Sequence, residues 1–349
     1  MKNLRRISIF IIGTVFFISG LLKMMDPVGT SLIVEEYLKF LHLGWLRQMS
    51  NVLGTVISLF ETLTGAALLT GVWRKIVSFV TLGLLGFFTV ITVLLCIFNP
   101  SMDCGCFGEA IHLTHLQSLV KNLILLGLWA VAFLPLAIEL PGRMKYVRFG
   151  IAVLSVGGFL LYFQLNLPAK DFTPFKPGAE LLGLDDNYSS GNPFLSFYDE
   201  NGEYADSLAL GERVMVFSIY DPDKLSRKDS DRIEETFNGC AEAGISPLAI
   251  FAGTPDKYPG GYYSDRRTLM TLNRANGGAT LICDGHITAK WNPAHFPDAE
   301  ELERLASMDS VEAMISENSG KNLKLQAFLL YVFAVMLLLK FPQPKRSLE

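Results

Sequence analysis

The sequence predicts an α-helical integral membrane bundle joined to an α/β domain outside the membrane. Three observations predict it. Five apolar runs crowd into the first 167 residues, with a sixth near the C-terminus. Charge is scarce before about residue 166 and frequent from there to about 322. Within that polar block, strand-like and helix-like stretches alternate.

A bilayer crossing takes about 20 apolar residues as a helix. Runs of that order cover 6–22, 50–73, 76–98, 118–140 and 146–167, and a shorter one covers 325–339. The apolar fraction of 50% is ordinary for a soluble chain, but a mean hydropathy of +0.34 despite the long polar block demands a very apolar remainder. A single run reads equally as a buried core helix; five within 167 residues do not. The first resembles a signal peptide, and Arg5-Arg6 has a faint twin-arginine look. No small-x-small cleavage pattern follows, so it reads as a retained anchor. With net charge −4 and no dense basic run, nucleic acid is excluded as a partner.

Cytoplasmic loops should hold the excess Lys and Arg. Placing the N-terminus inside puts Lys2, Arg5, Arg6, Arg74, Lys75, Arg143, Lys145, Arg148, Lys340, Lys345 and Arg346 there, against Lys23, Lys39 and Arg47 opposite: eleven against three. Both termini are then cytoplasmic. The 99–113 loop and residues 168–322 lie outside, in the periplasm if the host is Gram-negative, where thiols tend to be oxidised.

That loop carries MDCGCFG at 102–108, with two of the chain's 5 cysteines. Cysteines two apart can bridge only across a sharp turn, and Gly105 permits one. A strained, exposed disulfide is the labile or catalytic kind. Cys104-Gly105-Cys106 therefore reads as a redox couple. Asp103 beside it disfavours a thiolate. A structural bridge or inert thiols remain alternatives. So does a metal site: Cys104, Cys106, His112 and His115 form C-x-C-x5-H-x2-H, four N/S ligands suited to zinc or copper, although no standard zinc module has that spacing. A c-type haem needs C-x-x-C-H, which is missing.

Ionisable residues in a membrane segment usually face the bundle or water. Glu61 sits mid-span, Lys121 lies one turn into the fourth run, and Lys23 and Asp26 lie at the outer end of the first. With Asp103 they are candidates for ion pairs around the dithiol; alternatively Lys23 and Asp26 are ordinary interfacial residues and only Glu61 needs a partner. Cys96, inside an apolar run, reads as a buried packing thiol.

The segments SGLLKMMDP, EEYLKFL, the Glu61–Gly65 span ending GVWRK, and NPSMDCGCFGEAIHLTHLQSLVKN together resemble the DoxX-like/MauE-like four-helix membrane proteins, particularly a Bacteroidetes branch. The resemblance covers about residues 5–140. It implies a four-helix core with the cysteine motif on the outer side. MauE-type proteins are associated with maturation of disulfide-rich methylamine dehydrogenase, which implies thiol chemistry, though nothing here suggests methylamine as a substrate. DoxX relatives include quinol-oxidising and uncharacterised proteins, so the resemblance narrows the fold more than the activity; a quinone, or a metal on the Cys/His set, is an open cofactor.

In the polar block, LSFYDENGEYADSL (195–208) has a hairpin signal at Asn201-Gly202. RVMVFSIY (213–220) and ISPLAIFAG (245–253) read as strands, each followed by a helix-like stretch. ATLICDGHITAKWN reads as a hairpin turning at Asp284-Gly285, and PDAEELERLASM as a final helix. This order resembles a thioredoxin-like domain. The resemblance is partial: no C-x-x-C stands in YDPDKLSRKD, and Gly278-Ala279 occupy the place of the cis-proline. The domain is expected to bind a partner or cap the bundle. Cys240 and Cys283 read as buried free thiols or a structural bridge.

The expected organisation is a transmembrane core over 1–140, a fifth span over 141–167, the thioredoxin-like domain over 168–322, and a C-terminal span and tail over 323–349. The expected function is thiol-disulfide exchange or electron relay through Cys104 and Cys106, assisting exported cysteine-containing proteins or serving a redox partner. The rival is a non-enzymatic scaffold or assembly subunit. A transporter needs Glu61 and Lys121 along a path, and no broken-helix pair or inverted repeat is visible.

Overall fold

The computed structural model describes residues 2–134, 143–167, 170–182, 192–255 and 259–319, with isolated helical residues between 323 and 331. Two compact units divide between Gln164 and Leu165.

The first unit holds α1 (Lys2–Met25), α2 (Pro27–Phe40), α3 (Ser50–Thr70), α4 (Arg74–Phe98), β1 (Cys106–Glu109), α5 (His115–Phe133) and α6 (Arg143–Leu165). Five stretches among the described residues are long and apolar enough to cross a membrane: Asn3–Met25, Gly44–Thr70, Arg74–Phe98, His115–Phe133 and Met144–Leu165. They coincide with the five N-terminal apolar runs. The expected C-terminal span over 325–339 lies outside the described residues, apart from scattered positions.

Several hydroxyls inside these helices are satisfied by the helix's own backbone. Ser58, Thr62, Thr70 and Thr81 each donate to the carbonyl four residues back, at 2.7–2.8 Å. Helices α1 and α3 approach closely through small residues: a Cβ on Gly65 would stand 2.5 Å from the Phe17 backbone nitrogen. Only glycine fits at such a crossing.

The sequence reading gave no helix for 27–40. Asp26 caps α2, its Oδ1 accepting from the Gly29 amide at 2.8 Å, and Pro27 opens the first turn, where a missing N–H costs nothing. At 14 residues the helix is about 21 Å long, too short to cross. It packs into the bundle instead, burying Val28, Leu32, Ile33 and Leu38. Ser31 and Ser50 hydroxyls meet at 2.9 Å, tying it to α3. Buried Glu35 receives Arg47 at 2.7 Å and Lys39 at 3.2 Å.

The second unit is an α/β domain: β2 (Arg213–Ile219), α7 (Arg227–Glu242), β3 (Ser246–Ala252), β4 (Tyr262–Ser264), α8 (Arg266–Leu272), β5 (Gly278–Cys283), β6 (His286–Trp291) and α9 (Ala299–Ser307). The sheet order is β4-β3-β2-β5-β6. Strand β2 runs parallel to β3 and antiparallel to β5, and β6 returns antiparallel to β5. This is the thioredoxin-like arrangement, with β4 added at the edge. Alternate residues of β2 feed opposite cores: Val214 and Val216 with Ile250, Leu269 and Ile282, and Met215 and Phe217 with Ile233, Leu281 and Leu302. The β5–β6 turn is made by Asp284 and Gly285, at φ 48° and 75°, the signature of a two-residue hairpin. Tyr198 bridges Tyr204 around Asn201-Gly202.

Candidate functional site

The chain between α4 and α5 folds back against the bundle. Asn99 ends α4 in the left-handed conformation, and Thr114 and Gln117 form a reciprocal capping box that starts α5. Between them, Gly105 sits at φ 60° and the Gly108 amide closes a turn on the Gly105 carbonyl at 3.1 Å. A Cβ on Gly105 would stand 2.5 Å from Ile33 Cγ2 of α2. Glycine is needed there twice, for the backbone and for the space.

This turn sets Cys104 Sγ and Cys106 Sγ 3.1 Å apart, with no disulfide between them. Cys104 is buried at 4% exposure, whereas Cys106 is half-buried. Both flanking carbonyls are held from the bundle: the Tyr37 hydroxyl donates to the Cys104 carbonyl at 2.5 Å, and the Ser19 hydroxyl lies 2.5 Å from the Cys106 carbonyl. The two sulfurs differ sharply. The hydrogen bond from the Cys104 thiol, followed by the Lys121 charge and Ser118, pulls Cys106 well below the ordinary thiol range despite its burial. The same contact with Cys106, with burial, pushes Cys104 far above it. Cys106 is thus the more acidic sulfur of the pair and Cys104 the less acidic. Burial, with the two thiols nearby, also keeps the Tyr37 phenol protonated and available as a donor.

Lys23 and Glu61 form a buried ion pair at 2.5 Å. Ser19 joins them to the cysteine loop, its Oγ being 2.7 Å from Glu61 Oε1 and 3.3 Å from Lys23 Nζ. The Lys23 ammonium also faces the Phe88 ring at 5.4 Å, and Lys121 lies over Phe107 at 5.1 Å. A cavity of about 280 Å³ opens beside the sulfurs, with Cys104, Cys106, Lys23, Glu61 and Lys121 in its wall and mostly aliphatic and aromatic side chains elsewhere.

Of the expected supporting charges, Lys23, Glu61 and Lys121 therefore gather at the dithiol's cavity. Asp103 turns away: its carboxylate is exposed and takes His112 Nδ1 at 3.0 Å. Asp26 spends an oxygen on the α2 cap. The alternative metal set is not assembled. His112 faces Asp103, His115 Nε2 faces the Met102 carbonyl at 2.9 Å, and among the described residues no group of three or more His, Cys, Asp or Glu is placed to hold an ion. Cys96, expected to be buried, is only half-buried on α4. Sequence reasoning missed Ser19, Tyr37 and Ser118. Ser19 stood one helical turn before Lys23, a spacing that puts both on one face; Tyr37 stood in a segment not read as a helix.

In the α/β domain, the loop ends that would carry thioredoxin chemistry are tied together instead. The Asn276 side chain accepts from the Asp221 amide at 2.9 Å and donates to the Asp221 carbonyl at 2.7 Å. Cys240 and Cys283 lie in the same apolar core as free thiols. Burial pushes Cys240 up to about 12 and raises Cys283 as well.

Residues 1–136 match the family described as methylamine utilisation protein MauE. The chain is 25% identical over 166 residues to Protein TlpB of Flavobacterium psychrophilum, a match covering 47% of this chain and 45% of that protein. The match thus spans under half the length of that curated relative. No solved structure matches the chain. Residues 1–136, which hold four of the five apolar helices and the cysteine turn, are thus similar to the MauE family.

Proposed function

We propose that the protein performs thiol-disulfide exchange at the outer face of the membrane through Cys104 and Cys106, relaying electrons to or from exported cysteine-containing proteins. The observation that carries the reading is the sulfur pair itself: 3.1 Å apart on a glycine turn, with Cys106 lowered in pKa by its contact with Cys104 and by Lys121. A thiolate is the attacking species in exchange, and a neighbouring thiol resolves the mixed disulfide. Cys106, the half-buried member, attacks; Cys104, buried behind it, resolves.

The excess of Lys and Arg in the opposite loops supports an outward orientation for the dithiol. The α/β domain has no cysteine at its strand–helix corner and has that corner closed by Asn276, which supports a role in holding the partner. A scaffold subunit is the competing class.

The test is acid quenching and alkylation of intact cells carrying wild type, Cys104→Ser or Cys106→Ser. Exchange predicts that Cys104→Ser accumulates a reductant-sensitive adduct with an exported protein, and that Cys106→Ser does not. A function indifferent to both substitutions contradicts the reading and leaves the scaffold.

A further inference from the structure

We infer that the end of the bundle away from the cysteines holds a site for the phosphate headgroup of an anionic lipid, between Arg74 of α4 and Lys145 of α6. The inference is independent of the thiol-disulfide reading. Helix α4 starts at this site and runs 25 residues, about 37 Å, before the cysteine loop.

A pocket of about 50 Å³ lies at this end, lined by Ile9 of α1, Leu68 of α3, Val77 of α4 and Phe133 of α5, with Arg74 and Lys145 also in its wall. Five helices therefore contribute to it. The Arg74 guanidinium lies over the Phe133 ring at 6.0 Å. Stacking uses the face of a guanidinium and leaves its in-plane N–H donors to other partners. Lys145 reaches the turn between α3 and α4, where its Nζ would stand 3.9 Å from a Cβ on Gly71. Among the described residues the Lys145 ammonium takes part in no ion pair. Two cations brought to one small pocket repel each other, and an anion between them reverses the sign of that interaction. The sequence offers few acids for the purpose: residues 1–25, 62–102 and 143–170 contain no Asp or Glu. Glu139, between α5 and α6, lies outside the described residues.

The surroundings select a lipid over a soluble phosphate. A water needs about 10–15 Å³ of such space, so the pocket takes a group of phosphate size and not a whole lipid. The remainder must lie along the outside of the bundle, and there Ile76 and Phe79 stand 64% and 56% exposed on α4, a helix apolar enough to cross a membrane. Trp73, next to Arg74, packs edge-on against Tyr146 and Phe149 at 5.9 and 5.3 Å and is itself half exposed. Trp and Tyr collect where headgroups meet hydrocarbon, and basic pockets between membrane helices at that level take anionic headgroups. Inorganic phosphate would meet the two cations and nothing else.

The experiment titrates dioleoyl phosphatidylglycerol, and in parallel dioleoyl phosphatidylcholine, into the full-length protein in a neutral detergent, with native mass spectrometry counting bound lipid. Wild type should bind one phosphatidylglycerol ahead of any others and prefer it to phosphatidylcholine. Arg74→Gln and Lys145→Gln should each weaken that first binding about fivefold, the effect of one basic residue at an anionic headgroup. Lys145→Arg, which keeps the charge, should restore most of it. Lys75→Gln removes an equal charge from the same end but outside the pocket, and should change the binding less than about twofold. In wild type, raising salt from about 0.05 to about 0.5 M should weaken the preference through screening, an arm that needs no variant to fold. Equal binding of the two lipids, an equal loss in Lys75→Gln and Lys145→Gln, or displacement of phosphatidylglycerol by inorganic phosphate or glycerol 3-phosphate at matching concentration overturns the inference.

Discussion

The Lys23 ammonium and the Glu61 carboxylate lie 2.5 Å apart, with side-chain exposures of only 8% and 6%, and one hydroxyl, that of Ser19, links this pair to the backbone of Cys106. An ion pair in a membrane bundle and a cysteine turn in a loop are thus parts of one structure. Removing one partner of such a pair leaves an uncompensated buried charge. Lys23→Met or Glu61→Leu should each destabilise the protein by about 3–5 kcal/mol, and the double substitution should recover much of the loss. Thermal unfolding in detergent, as a double-mutant cycle, measures the coupling.

The Ser19 hydroxyl has a separate effect. Ser19→Ala removes the bridge to the Cys106 carbonyl and should cost about 1–3 kcal/mol. It should also loosen the sulfur pair, so that Cys106 alkylation shifts toward the pH of an ordinary thiol. Ser19→Thr, which restores the hydroxyl, should reverse both effects.

Gly105→Ala tests the turn. The left-handed backbone there, φ 60°, costs a non-glycine residue about 1–2 kcal/mol. The added methyl also collides with Ile33. Shortening Ile33 to Val or Ala in the same chain should relieve the second cost and not the first. Disulfide formation in the single and double variants reports which one matters.

The unequal sulfurs predict a pH profile. With Cys106 held well below the ordinary thiol value of 9.0, its thiolate persists below neutral pH, and wild type should react with iodoacetamide there. In Cys104→Ala, which removes the donated thiol proton, the inflection should rise. In Cys106→Ser the remaining Cys104 should react only in alkaline solution. Cys240 and Cys283 should not react at neutral pH until the domain unfolds. Because the fold raises Cys240 from 9.0 to about 12, the unfolded chain loses that proton first, so its contribution to stability falls as pH rises from about 9 toward 12.

Much of the α/β domain was legible because its signals are local: the capped helix at Ser226, the two-residue turn at Asp284-Gly285, the alternation in RVMVFSI. The membrane helices were legible because lipid demands long apolar runs. Helix α2 was not, since Pro27–Phe40 is too short and too mixed to read as a span and its apolar residues are buried only because the bundle surrounds them. The cysteine pair was readable from its glycine, but its asymmetry was not. That depends on Lys121 and Ser118, 15 and 12 positions beyond Cys106 and brought beside it by the fold. The reading of Asp103 as a neighbour opposing the thiolate assumed that adjacency in sequence means proximity of charge. The carboxylate instead turns outward to His112.

The most direct test is equilibrium titration of the purified full-length protein across a graded glutathione or dithiothreitol poise, with alkylated mass as the readout. The account predicts a reversible two-electron couple between Cys104 and Cys106, lost in either serine variant, with a potential above about −300 mV, where labile and catalytic disulfides lie. A pair that stays reduced at every poise, or one that closes into a bond reducible only below about −300 mV, would contradict it.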